Sequence, residues 1–315
     1  MFILFKHFVY SVSTAIMLCK HNNKNIFFKV FIIRFFYAFD FIRNILKPTK
    51  FSPNNFYPNH SFKKKVNGRR IIKDLNNKGF NDSLLLKKPY VDNLENEINL
   101  QNSSITFKGA KSKKVSSKFY KSLKKKDHLK TIFKKSKSNK IPHVAIDIDI
   151  SKTKFIRELA TSSFFLQLAK DYINSNKISV SGQCYISNPL ETSEKEKQDY
   201  AQHFHYDLDF KKFFKIFIYL NDVDKQGGPH SFLEKSNKKK NFEHIISKRI
   251  DDYEIKKKYN FKNIKTFQKK RGSLIIEDTF GLHKGNFPKK KSRKMMILIY
   301  GEGLGINNYK YSYLT

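Results

Sequence analysis

The second half of this 315-residue chain predicts an antiparallel, mainly β core, a jelly roll or barrel, with helices in front of it. Two observations predict that class. Four β-rich runs, KISVSGQCYIS (177–187), FFKIFIYLNDV (213–223), GSLIIEDTF (272–280) and KMMILIYGEG (294–303), are separated by polar loops. No helix-length crossovers lie between the later runs, which favours antiparallel pairing. Ahead of them, residues 151–176 place Phe155, Ile156, Leu159, Phe164, Phe165, Leu168, Ala169 and Tyr172 at spacings suited to one or two helices.

Composition permits such a core and narrows the partners. Hydrophobic residues make up 39% of the chain and include 31 Phe, enough for a packed domain. The formal net charge is +36, in a chain rich in Lys, Asn, Ile and Phe, all residues with A/T-rich codons, so part of the basicity is expected from genomic bias. A field of that size attracts nucleic acid, anionic lipid or a small anion whatever its origin, and says nothing of fold. Cys19 and Cys184 lie far apart with no CxxC spacing. Neither a disulfide framework nor a zinc site is therefore expected.

The N-terminal elements follow in order. Residues 1–20 put Lys6 and His7 ahead of an apolar run, 8–19, that is too short to span a bilayer. The run resembles the apolar part of a secretory signal, but His21, Asn22, Asn23 and Lys24 follow where small cleavage-site residues would stand. In residues 27–46, Lys29, Arg34, Asp40 and Arg43 interrupt an aromatic-aliphatic stretch and argue against a simple transmembrane helix. Residues 1–46 are thus expected either to pack on the C-terminal domain or to lie as a basic helix on a membrane surface.

Residues 47–140 are polar and rich in Asn, Ser and Lys, and read as a basic linker or extension, partly helical or disordered. Short apolar patches such as SLLLKKPYV (83–91) could still form isolated helices or strands. Tyr and Phe interleave with lysines in the closing run 108–140, a combination able to stack and neutralise a single nucleic-acid strand. A solvated basic segment is the plainer reading. After Ile141 the chain turns to amphipathic segments punctuated by Gly and Pro, so the domain 141–315 is expected to begin near Lys140.

Within that domain, His205 and Asp207 form H-x-D just before the run that begins at Phe213. Residues two apart on extended backbone point the same way. An imidazole and a carboxylate side by side, with a third ligand from another strand, make the two-histidine, one-carboxylate face that binds non-haem iron(II) and leaves positions open. In a chain with 10 His the triplet alone is weak. The run 272–301 strengthens it, because His283 follows a β-run and a Gly turn, and Arg293 opens the next strand ten residues on. In a regular strand Arg293, Met295 and Ile297 share one face, with Lys294 and Met296 on the other. A guanidinium turned inward calls for a carboxylate, with Lys294 the competitor if the register slips by one.

These residues, with FHYDLDFKKFFKIFIYLNDVDKQGGPHSFLEKSNK (204–238), resemble the phytanoyl-CoA dioxygenase family of iron(II)- and 2-oxoglutarate-dependent oxygenases. The shared run is H-x-D, strand, acidic turn, Gly-Pro and a closing serine turn. The family's final Ser-His is Ser236-Asn237 here. The resemblance covers residues 141–303 and implies a double-stranded β-helix. It further implies His205, Asp207 and His283 as iron(II) ligands and Arg293 gripping the distal carboxylate of 2-oxoglutarate; apart from the resemblance, Tyr185, on the run that begins at Lys177, is a candidate to hydrogen-bond the co-substrate. The implied reaction uses O2, releases succinate and CO2, and hydroxylates a small organic, acyl or carrier-linked substrate. Halogenating relatives have a small residue where Asp207 stands, so the carboxylate points to hydroxylation. A cytoplasmic location, with membrane association through residues 1–46 as the variant, goes with this chemistry.

Competing residues have plainer readings. His203 is expected beside the ligands rather than among them, Asp209 as an alternative to Asp207 only through a longer loop, and His230 at a surface or pocket rim. Tyr185 also reads as a core tyrosine with a satisfied hydroxyl. Asp147 and Asp149 look like the polar face of an edge strand. The reading from another functional class is a non-catalytic basic protein that binds nucleic acid or anionic membranes and carries a jelly-roll domain.

Overall fold

A computed structural model describes residues 66–98, 127–190, 201–246 and 249–303, the strands Ser103–Thr106 and Ser312–Leu314, Phe62, and a few positions among the first 39 residues. In chain order these form α1 (Gly68–Asn77), β1 (Phe80–Leu85), α2 (Lys88–Glu97), β2 (Ser103–Thr106), α3 (Leu129–Ser138) and β3 (His143–Ile148). Next come α4 (Phe155–Ala160), α5 (Ser163–Ile173), β4 (Ile178–Ser187), β5 (Phe213–Tyr219), β6 (His230–Leu233) and α6 (Phe242–Ile246). The remainder are α7 (Asp252–Lys258), β7 (Ile264–Phe267), β8 (Ser273–Glu277), β9 (His283–Gly285), β10 (Arg293–Glu302) and β11 (Ser312–Leu314).

All the paired strands run antiparallel, in two sheets. The larger has the order β1-β8-β5-β10-β4-β3-β2 with β11 beside β4, and the smaller has β7-β6-β9. Alternation along each strand of the larger sheet feeds two cores. On its outer face Ile216, Ile218, Leu274, Met296 and Leu298 pack with the helical residues Leu75, Phe164, Phe165 and Leu168. On its inner face Phe217, Ile275, Met295 and Ile297 meet Phe232 and Phe267 of the smaller sheet. Burial on both faces explains why β5 reads FFKIFIY without polar alternation. The 151–176 periodicity resolves into two helices, α4 and α5. Ser162 caps the second, and Asn174 ends it in the left-handed conformation, φ 60°.

The boundary expected near Lys140 does not coincide with a break in packing. Ile71, Leu75, Leu84, Val91, Leu94, Leu129 and Ile132, all N-terminal to it, are buried in the same core as the sheet. β1 and β2 form the two edges of that sheet. The Glu97 carboxylate accepts from the Lys154 and Ile156 amides at 2.7 and 2.8 Å, tying α2 to the start of α4. Each short element offers only a few apolar residues, three in α1 on a Lys/Asn background, so the segment reads as polar although its apolar side is buried. Most of the basic run 108–140, on which the nucleic-acid expectation falls, and nearly all of 1–46, on which the membrane expectation falls, lie outside the described residues, although 127–140 of that run is described and carries α3. No described helix is long and apolar enough to cross a membrane.

Candidate metal centre and adjoining cavity

Backbone pairing brings the two histidines together. His205 and His283 exchange both amide-to-carbonyl hydrogen bonds, at 2.9 and 2.8 Å, so their side chains leave the pair on one side. The ring centroids lie 4.3 Å apart. Each ring donates its Nδ1–H to the carbonyl two residues back, His205 to His203 at 3.0 Å and His283 to Gly281 at 2.9 Å. Both Nε2 lone pairs are thereby left for a metal. Asp207 is fixed by its amide, which donates to the Thr279 carbonyl at 2.8 Å. Its carboxylate oxygens lie 3.3 Å from His283 Nε2 and 4.0 Å from His205 Nε2. One ligand atom from each residue falls within 4.8 Å of the others. Neighbouring ligands at metal–ligand bonds of about 2.1 Å stand about 3 Å apart, so the triad fits an iron(II) site with little movement.

The protonation states suit a cation. Burial, then the charges of Arg249 and His283, hold His205 well below the ordinary histidine value, so the ring is neutral. Burial alone would raise Asp207, but the Lys215 ammonium and His283 overcome it and hold the carboxyl well below its usual range. Lys215, on β5, is buried and places Nζ 2.8 Å from Asp207 Oδ2 and 2.6 Å from Asp209 Oδ2. Asp209 thus serves the ammonium rather than a metal. His203 contributes through its carbonyl.

A cavity of about 100 Å³ opens beside the triad, with Arg293, Tyr185, His230 and Arg249 in its wall. Arg293 opens β10 and turns inward with Met295 and Ile297, while Lys294 turns outward to Glu95. The Arg293 guanidinium is buried and donates to the Gly228 carbonyl, and its Nε has no hydrogen-bond partner among the described residues. It lies against Gly285, where a Cβ would come within 2.6 Å of Nη2. A buried cation with an unused donor beside a metal triad is built to receive an anion.

Tyr185 lines the same cavity from β4, opposite Met295 in the ladder. Its hydroxyl donates to Gln183 at 2.8 Å, and the Gln183 amide donates to Asp147 at 2.7 Å. Asp147 is therefore not on an edge: β2 covers that side of β3, and the carboxylate is buried as the end of this chain. Asp149 falls beyond the strand and pairs with Lys152.

His230, expected at a surface or pocket rim, is buried in the cavity wall, and Arg249, which no sequence pattern marks, also lines it. His230 is 3% exposed, with its ring 4.5 Å from Phe217 and 5.6 Å from His283. Its Nε2 lies 2.9 Å from the Glu277 carboxyl, which burial pushes up to about 8. The Gly-Pro turn before His230 marks where a strand begins, but not which way its first side chain faces. Arg249 belongs to the segment between α6 and α7, and no local pattern marks it. Ser236, in the closing turn, accepts the Leu282 amide at 2.7 Å and so supports the residue before His283. Asn237 donates to the Leu75 carbonyl at 3.1 Å, away from the triad.

No family model matches the chain, and no curated protein matches it. Solved structures with a similar course include EctD from S. alaskensis with 2-oxoglutarate and 5-hydroxyectoine, at 13% identity over 82% of this chain and 83% of that one, TM-score 0.48. They also include SnoN, a non-heme alpha ketoglutarate dependent epimerase from nogalamycin biosynthesis, at 12% identity over 75% and 82%, TM-score 0.44. A third is the non-heme monooxygenase ThoJ, at 11% identity over 74% and 77%, TM-score 0.44.

Proposed function

We propose that the protein is an iron(II)- and 2-oxoglutarate-dependent oxygenase of the phytanoyl-CoA dioxygenase type that hydroxylates a small organic, acyl or carrier-linked substrate. The observation that carries this reading is the His205–Asp207–His283 triad sharing one cavity with the buried guanidinium of Arg293. Two imidazoles and an ionised carboxylate on one side of a site suit iron(II) and leave room for further ligands. When bound, the metal and co-substrate supply the oxidising power, with 2-oxoglutarate losing CO2 to become succinate and O2 providing the hydroxyl oxygen.

The chain's residues supply position and exclusion. His205, Asp207 and His283 hold the metal, the Nδ1–H bonds keep both rings oriented, and Lys215 holds the carboxylate. Arg293 receives the distal carboxylate of the co-substrate, and its Nε offers the unused donor. Tyr185 is tied to Gln183 and serves the co-substrate by flanking it. Phe217, Met295 and Ile297 keep water from the wall. Asp207, a carboxylate where halogenating enzymes have a small residue, supports hydroxylation.

The test is anaerobic reconstitution with iron(II) and 2-oxoglutarate. A visible absorption band that needs both components and disappears in His205→Ala, followed by succinate release on admitting oxygen, is expected. Absence of both band and succinate would overturn the assignment.

A further inference from the structure

We propose that His230, through its Nδ1–H, receives the distal carboxylate of the co-substrate together with Arg293; this rests on the oxygenase reading above. His230 lines the cavity that holds the triad and Arg293. Its main chain is flanked by the two groups that hold that guanidinium. Gly228, two residues before it, accepts a hydrogen bond from Arg293, and Gly285, its partner across the β6–β9 ladder, lies against Arg293 Nη2. The Tyr219 hydroxyl accepts the His230 amide at 2.9 Å and fixes the backbone there. The ring packs on Phe217 and Phe267, with centroids 4.5 and 6.2 Å away.

The far end of this ring is engaged and the near end is not. Nε2 lies 2.9 Å from Glu277 Oε2, and Oε1 of the same carboxyl is buried with no hydrogen-bond partner among the described residues. An ionised carboxylate with an orphaned oxygen is costly there, and burial pushes Glu277 up to about 8. The pair therefore holds two protons. A proton on Oε1 would be a buried donor without an acceptor, so one proton lies between Oε2 and Nε2. Whichever of those atoms it sits nearer, the other proton is on Nδ1. Nδ1 has no partner among the described residues and is not sealed from the cavity. It is the ring nitrogen next to the main chain, so its N–H stands at the end of the cavity where Arg293 Nε is also unused. A charged and a neutral donor at one end suit a single carboxylate.

The experiment loads the full chain with nickel(II) without oxygen and measures by calorimetry the binding of 2-oxoglutarate and of 2-oxovalerate, in which a methyl group replaces the distal carboxylate. His230→Phe should weaken 2-oxoglutarate by about tenfold or more, the loss of one hydrogen bond to a charged group, and leave 2-oxovalerate within about twofold. His230→Asn, whose amide N–H can take the place of Nδ1–H, should keep most of the affinity. In the wild-type protein loaded with zinc(II), nuclear magnetic resonance should show His230 Nδ1 as a protonated ring nitrogen. Its signal should move on adding 2-oxoglutarate and stay in place with 2-oxovalerate. An equal loss for both ligands in His230→Phe, undiminished affinity for 2-oxoglutarate, or an unprotonated Nδ1 would overturn the proposal while leaving the oxygenase reading intact. Failure of 2-oxoglutarate to bind the nickel-loaded wild type would overturn both.

Discussion

The Lys215 ammonium lies 2.8 Å from Oδ2 of Asp207, the carboxylate that stands between the two histidines. Its second contact, 2.6 Å to Asp209, makes a buried group of one cation and two anions. In the metal-free protein the ammonium is therefore the counter-ion that allows Asp207 to remain ionised in a low dielectric.

Lys215→Met should consequently destabilise the metal-free protein by about 3–5 kcal/mol, the usual consequence of leaving a buried charge uncompensated. Combining it with Asp209→Asn should recover part of the loss. Adding nickel(II) should stabilise the Lys215→Met protein more than the wild type, because the metal then supplies the missing positive charge. Thermal unfolding of the three proteins with and without metal checks this. Equal metal-induced shifts in wild type and Lys215→Met would count against the counter-ion role.

Glu277 gives a pH dependence of opposite sign to that of the buried histidines. Burial raises its carboxyl to about 8, from an ordinary value of 4.5. The stability this neutral group lends is fully present below the unfolded value and is lost as pH rises through the folded one. His205 and His230 are held well below 6.5 by burial first, so their contribution falls as pH drops below that value. Glu277→Gln keeps a neutral amide in place of the acid. Relative to wild type it should be more favourable at pH 8 than at pH 5, as measured by urea unfolding at both. A difference that does not change with pH would show that Glu277 is ionised in the folded protein.

How far the site could be read from sequence depended on where its residues stood in the chain. His205 and Asp207 were legible because two residues on one extended segment must share a side, and Arg293 because strand alternation separates it from Lys294. Arg293, Met295 and Ile297 do line the cavity together. The antiparallel core was legible in β4, β5, β8 and β10 for a similar reason: each is a long apolar run. Residues 66–98 were not, since their few buried apolar positions are diluted by Lys and Asn in short elements. Lys215 sat within an apolar strand as an apparent blemish, and only the fold shows which carboxylates meet it. Arg249 and His230 reach the cavity through tertiary packing that no local pattern encodes.

Removing Arg293 should separate stability from binding. Its guanidinium is buried, burial lowers its affinity for the proton, and its Nε has no partner among the described residues. Arg293→Met replaces that desolvated cation by an apolar side chain of similar length. The metal-free variant should unfold at the same temperature as wild type or higher, whereas 2-oxoglutarate binding to the nickel-loaded protein should weaken by about a hundredfold. A variant that loses several degrees of Tm but keeps co-substrate affinity would assign Arg293 a structural role instead.

Gly285→Ala tests the placement of that guanidinium without touching its charge. The backbone at 285 is not in the left-handed region, so an alanine costs nothing in conformation there. Its Cβ, however, would stand 2.6 Å from Arg293 Nη2, and the nearest side-chain atoms around it all belong to that guanidinium. The arginine must therefore give way, while His283, whose backbone pairs with His205 and whose ring is oriented by Gly281, keeps its frame. Nickel(II) affinity should stay within about twofold of wild type. Affinity for 2-oxoglutarate should fall about tenfold or more, because a charge-assisted pair weakens steeply once its donors leave the carboxylate plane. Calorimetry of the two ligands in sequence separates these outcomes. A parallel loss of both would mean that the methyl group disturbs the β9 strand itself rather than the guanidinium it supports.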